Sequence, residues 1–64
     1  LKFKNNIAKN TLAIETGVRI SNPNVVVGEN VRLYQNVVIF GNGPFLIDDG
    51  STIGYNTVRR RFKR

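Results

Sequence analysis

Residues 26–43 read Val26-Val27-Gly28-Glu29-Asn30-Val31-Arg32-Leu33-Tyr34-Gln35-Asn36-Val37-Val38-Ile39-Phe40-Gly41-Asn42-Gly43. Val27, Leu33 and Ile39 stand six residues apart, and Val31 and Val37 follow their anchors by four. Carrying the step outward in both directions gives Ile7, Ile14, Ile20, Val27, Leu33, Ile39, Ile47 and Ile53, with intervals of seven, six, seven, six, six, eight and six. All six isoleucines of the chain fall on that register. Self-similarity at a fixed short period is the signature of a solenoid, in which each repeat is a structural unit that buries its apolar face on its neighbours.

The interior of each unit explains the interval. A strand of two or three residues carries one inward aliphatic, and Gly, Asn or Asp then turns the chain. Three such strands close a triangular coil. Grouping the anchors by threes yields three ladders: Ile7, Val27 and Ile47; Ile14, Leu33 and Ile53; Ile20 and Ile39. The lengthened units that begin at Ile20 and Ile39 are three units apart, so both insertions belong to one corner of the prism. They contain the two strongest loop signals, Asn22-Pro23-Asn24 and Gly41-Asn42-Gly43-Pro44. Four residues after the anchors stand Thr11, Val18, Asn24, Val31, Val37, Gly43, Ser51 and Thr57, mostly small or β-branched. Tyr34 and Phe40 directly follow anchors and suit a turn poorly, which directs them outward, toward a neighbouring subunit or a ligand.

No window sustains a helical apolar stripe beyond two turns, and Val, Ile, Thr, Asn and Gly are indifferent or poor helix formers. The chain divides into a lead-in or cap over residues 1–6, a repeat array over 7–58 and a basic tail over 59–64. Within the lead-in, Leu1 and Phe3 alternate with Lys2 and Lys4, a pattern for an edge strand or a cap.

At 64 residues the array makes fewer than three full coils. A domain of that size buries only about 60% of its unfolded surface, and stacked repeats need about three or more units with covered ends. Association, or continuation in a longer chain, is the expected remedy. Without Cys or His, neither disulfides nor a zinc site can come from this chain, and a catalytic triad lacks its base. No apolar run reaches the roughly 20 residues that span a bilayer, and residues 1–4 do not resemble a signal peptide, so a cytoplasmic location without membrane contact is expected.

Arg59, Arg60, Arg61, Lys63 and Arg64 account for five of the six net positive charges. Such a tail could bind nucleic acid, an anionic surface or a nucleotide phosphate, while its plainer reading is a solvated end that keeps the chain in solution. Asp48 and Asp49 are adjacent and would point to opposite faces of a strand, so they make a turn with Gly50 rather than a carboxylate dyad.

The stretch 26–43, together with Ile47-Asp48-Asp49-Gly50-Ser51-Thr52-Ile53-Gly54-Tyr55-Asn56, resembles the hexapeptide-repeat acyltransferases, in particular the serine O-acetyltransferase branch and its relatives in polysaccharide modification. The likeness runs over residues 14–58. It implies an all-β fold, a left-handed parallel β-helix of about three short coils. The hand comes from the resemblance alone, since parallel crossovers are right-handed in about 98% of cases. It further implies a homo-oligomer, with a trimer favoured, acetyl-CoA as co-substrate in a groove between prisms, and an acceptor hydroxyl on a small molecule or sugar, deprotonated by a histidine. Gly41, Asn42, Gly43 and Gly54 take the cofactor-binding positions, although 41–43 equally make a turn. The family's histidine falls on Asn22 or Ser21, of which Asn22-Pro23 is the better match, and neither side chain titrates near neutrality as a general base must. The loop after Gly41 is also shorter than in serine acetyltransferases, which tilts the acceptor toward a sugar or another hydroxyl. The sequence thus points to an acyltransferase-like unit with impaired or absent catalysis. A structural or self-assembly module and a basic nucleic-acid-binding β module are the alternatives.

Overall fold

The computed structural model describes residues 1–63. Nine strands and one short helix follow the chain: β1 Lys2–Phe3, α1 Asn6–Thr11, β2 Ala13–Ile14, β3 Arg19–Ser21, β4 Val25–Val27, β5 Arg32–Leu33, β6 Val38–Gly41, β7 Phe45–Ile47, β8 Thr52–Ile53 and β9 Val58–Arg61. They form three parallel sheets of three strands, β1-β4-β7 (sheet A), β2-β5-β8 (sheet B) and β3-β6-β9 (sheet C). Each strand therefore pairs with the strand one coil on, and the chain is a triangular parallel β-solenoid of about three turns.

The inward rows follow the period-2 alternation of a strand. Val25 and Val27, Val31 and Leu33, and Val37 and Ile39 are all buried in the middle coil, with Ile47 and Ile53 above them. Two of the anticipated ladders are realised whole: Ile14 pairs with Leu33 and Leu33 with Ile53, while Ile20 pairs with Ile39. The residue four after an anchor becomes the second inward residue only in a six-residue unit. In the lengthened units Asn24 and Gly43 remain in the corner, and Val25 and Phe45 stand two before the next anchor instead.

The first ladder differs at its foot. Phe3, not Ile7, pairs with Val27, which in turn pairs with Ile47. Ile7 lies on α1 and is 56% exposed. The cause is local: Asn5 has extended backbone and its Oδ1 accepts from the Ala8 N–H at 2.8 Å, an N-cap that starts a helical turn where the repeat register asks for a strand. Ala8 is the buried residue of that turn, and Leu12 packs on the core just beyond it. A helix of six residues is too short to persist alone; burial of Ala8 supplies what propensity does not.

Corners reuse the left-handed backbone region. Gly17, Asn36 and Asn56 occupy it at the corner between sheets B and C, and Asn30 and Gly50 at the corner between sheets A and B. Glycine and asparagine are the residues that enter this region at least cost. Asn36 Nδ2 donates to Asn56 Oδ1 at 3.2 Å, which ties two successive coils at their turn. The two insertions share the third corner, between sheets C and A, as their spacing requires.

Outside the prism, Tyr34 stacks on Tyr55 with centroids 4.8 Å apart, and Phe40 meets Phe62 edge to face at 5.9 Å. Both side chains do face outward, and their contacts within the chain are to the coil above. No helix among the described residues is long and apolar enough to cross a membrane.

Candidate functional site

The third corner gathers most of the residues singled out in the sequence. Asn22 is 3% exposed and is the one buried polar side chain among the described residues. Its Nδ2 donates to the Gly43 carbonyl at 3.0 Å and its Oδ1 accepts from the Asn24 N–H at 2.8 Å. One amide thus closes its own turn and fastens it to the turn of the next coil. Asn24 Nδ2 donates to the Asn42 carbonyl, and Asn42 Oδ1 accepts from the Lys63 N–H at 2.9 Å. The corner is a stair of amides, each step bonded to the loop above.

That arrangement bears on chemistry. The Asn22 amide has both ends occupied and does not ionise, so it cannot take a proton from an acceptor hydroxyl. Ser21 is exposed at the end of β3, in register with Phe40 and, beyond it, Arg60. Of the two positions that the acyltransferase resemblance gives to a base, one is internal scaffolding and the other faces solvent.

Asn42 and Gly43 are held by the strand above, since their N–H groups both donate to the Arg61 carbonyl at 2.9 Å. Gly41 has φ +117, and a Cβ there would collide with that same carbonyl. The close approach of β9 to the corner therefore requires glycine at this position. Gly54 lies elsewhere, at the corner after β8, where its carbonyl accepts from Thr57 Oγ1 at 2.7 Å. Gly41, Asn42 and Gly43 come together with Asn22, and Gly54 does not join them.

Beside this corner an open cavity of about 380 Å³ is lined by Gly43, Pro44, Phe45, Leu46, Arg61 and Phe62. The Arg61 guanidinium stands 5.6 Å from the centroid of the Phe45 ring, within range of a cation–π contact. Leu46 and Phe62 are each 60% exposed. The sequence reading missed Phe45, Leu46, Arg61 and Phe62 as a group. The signal was available, because Phe45 precedes Ile47 by two and Arg61 follows Arg59 by two, which puts each on the inward row of its strand.

Charge is segregated around the prism. Glu29, Asp48 and Asp49 lie at the corner between sheets A and B, where Lys4 Nζ meets Asp49 Oδ2 at 2.9 Å. The Glu29 N–H, donating to Asp49 Oδ1 at 2.7 Å, and the Lys4 ammonium hold the Asp49 carboxyl below its ordinary range. The hydrogen bond to Asp49 raises Lys4 in turn. Asp48 and Asp49 make a turn with Gly50: Asp48 Oδ1 accepts from the Asp49 N–H at 2.8 Å, and its carbonyl from the Ser51 N–H at 3.1 Å. No group of three or more metal-ligating side chains occurs among the described residues.

Comparison with protein-family models, with curated proteins and with solved structures returned no match.

Proposed function

We propose that this chain is a β-helical unit of the acetyl-CoA-dependent O-acetyltransferase type, which holds the co-substrate along the third corner and contributes no general base of its own. The observation that carries this reading is the cavity walled by Pro44, Phe45, Leu46 and Phe62 with the Arg61 cation at its edge. It adjoins Gly41, Asn42 and Gly43, the positions that the acyltransferase resemblance gives to the cofactor. The amide-bearing arm of an acyl thioester suits a lining that mixes the apolar side chains of Phe45, Leu46 and Phe62 with polar groups, and a guanidinium suits the phosphates at the other end of the same molecule. The spent amide of Asn22 supports the second half of the proposal. Any acceptor hydroxyl, on a small molecule or a sugar, would have to find its base on another chain or in solvent.

Calorimetric titration with coenzyme A tests the binding half. Measurable heat that disappears in Phe45→Ala is expected, and a folded protein that takes up no coenzyme A would refute it. Ser21→His tests the other half, since it places a titratable imidazole at an exposed position beside the corner; thioester turnover by the unaltered chain would overturn the absence of a base.

We also assign the chain to homo-oligomers, with a trimer favoured. The reading is supported by Ile7 on α1, Leu46 on the outer face of sheet A and Tyr55 at the corner after β8, large apolar side chains that are 56%, 60% and 59% exposed. Mass in solution with and without coenzyme A checks it, and a monomer under both conditions would end it.

A further inference from the structure

Sheet C and the third corner carry Arg19, Arg59, Arg60, Arg61 and Lys63 and, among the described residues, no carboxylate. The four acidic residues of the chain, Glu15, Glu29, Asp48 and Asp49, lie at the other two corners. A near-even mixture of signs would leave little field; this separation leaves one side of a small prism strongly positive.

The form of the cationic side is more specific than its charge. β9 is an edge strand, bonded to β6 on one side with no strand partner on the other among the described residues. Three consecutive arginines on it alternate between faces, so Arg59 and Arg61 stand about 6.6 Å apart along one row and Arg60 projects to the other. All three are exposed. Arg60 shares the outer face of sheet C with Arg19, which lies two strands across the sheet and two residues back along it, about 12 Å away. Arg59 occupies the register above Ile20 and Ile39, where a further aliphatic would continue the ladder, and it is exposed there. Directly after the strand comes Phe62, 60% exposed, which meets Phe40 edge to face and lines the cavity together with Arg61.

We infer that this side of the prism binds single-stranded nucleic acid: Arg59, Arg60, Arg19 and Lys63 take backbone phosphates, and Phe62 at the cavity mouth offers a face on which a base stacks. Cations that track a backbone, interleaved with aromatic faces, are how single strands are held without sequence readout. A phospholipid surface would use the same cations but has no need of a ring beside a pocket. The inference goes beyond the acyl-thioester reading and does not depend on it, because its four cations lie outside the cavity that reading uses and Phe62 alone is shared between them.

Fluorescence anisotropy with a labelled single-stranded oligouridine tests it on the whole chain. With three to four phosphates neutralised, affinity should fall about 20- to 50-fold between 50 and 200 mM salt. Arg59→Gln with Arg60→Gln should flatten the logarithmic salt slope by about 1.4. Phe62→Ala should weaken binding about fivefold or more and leave that slope unchanged. Circular dichroism of each variant shows that the fold persists; if the double variant fails to fold, Arg19→Gln alone, on the outer face of β3, carries the salt test. No anisotropy change at low salt, or a salt-independent complex, would overturn the inference. Equal affinity for a duplex of the same length, or for phosphatidylserine vesicles, combined with indifference to Phe62→Ala, would also overturn it. Coenzyme A titration in parallel separates the two readings, since oligouridine can fail where coenzyme A binds, and the reverse.

Discussion

Replacing Asn22 by alanine should unfold much of this protein's margin of stability, because the side chain is internal structure and not a surface group at a binding site. The substitution deletes two hydrogen bonds, from Nδ2 to the Gly43 carbonyl and from the Asn24 N–H to Oδ1, at a position 3% exposed. Each bond contributes about 0.5–1.5 kcal/mol net, and a buried partner left without a bond costs about 1–3 kcal/mol. Gly43 is buried and its carbonyl would lose the Asn22 donor, so the loss should come to about 2–4 kcal/mol. A chain of this length has about 3–10 kcal/mol in total at the usual stability per residue. With a urea dependence of about 1 kcal/mol/M, as for the smallest domains, the midpoint should fall by about 2–4 M, read by circular dichroism at constant slope. Ser21→Ala, next to it but exposed, should stay within about 0.5 kcal/mol of the parent. Asn22→His should behave like Asn22→Ala, since an imidazole cannot supply a donor and an acceptor in the same directions. An Asn22→Ala protein within about 0.5 kcal/mol of the parent would refute the reasoning and return Asn22 to the acceptor site.

Further outcomes follow from the same structure. Gly41→Ala should cost more than about 1 kcal/mol, since φ +117 is hostile to a Cβ that would also strike the Arg61 carbonyl; amide exchange should rise first over β9, and uniform loss across all coils would contradict this. Arg59→Ile should extend the Ile20–Ile39 ladder by an aliphatic rung on β9, which has no second strand partner among the described residues, promoting association through β9 that appears as a concentration-dependent mass; an unchanged mass at every concentration would speak against it. Asp49, with its pKa lowered in the fold, contributes stability that is present above the unfolded value near 3.8 and fades as pH falls through the folded one. Lys4, raised above 10.5, contributes below that value and loses its contribution as pH rises through the folded one. Asp49→Asn should therefore flatten the stability profile at both extremes, and because both groups are exposed the change should be small and should shrink with salt; an unaltered profile at low salt would count against the pair.

Much of the solenoid was legible because its information is periodic. Val27, Leu33 and Ile39 need only a spacing of six to line three faces, and the insertions after Ile20 and Ile39 needed only to be counted to share a corner. The site was less legible, for reasons that particular residues show. Ile7 keeps the register in sequence, yet the cap at Asn5 and the burial of Ala8 draw it onto a helix, a competition between local hydrogen bonding and periodicity that spacing does not reveal. Asn22 has the same one-dimensional appearance whether its amide faces an acceptor or the carbonyl of Gly43. Tyr34 and Phe40 were readable as outward, while their contacts with Tyr55 and Phe62 required the offset between coils.

By itself, then, the sequence determined the repeat, two of the inward ladders and the corner that bears the long loops, since these depend on where aliphatic and turn residues recur along the chain. Only the tertiary structure decided that Asn22 is bonded into the scaffold, that Phe45, Leu46, Arg61 and Phe62 wall one cavity, and that the arginines of β9 lie on a side free of carboxylates among the described residues. Those are contacts between residues about a coil apart, set by how one turn stacks on the next. A period fixes which side of a strand a residue faces; the stacking fixes what it meets there.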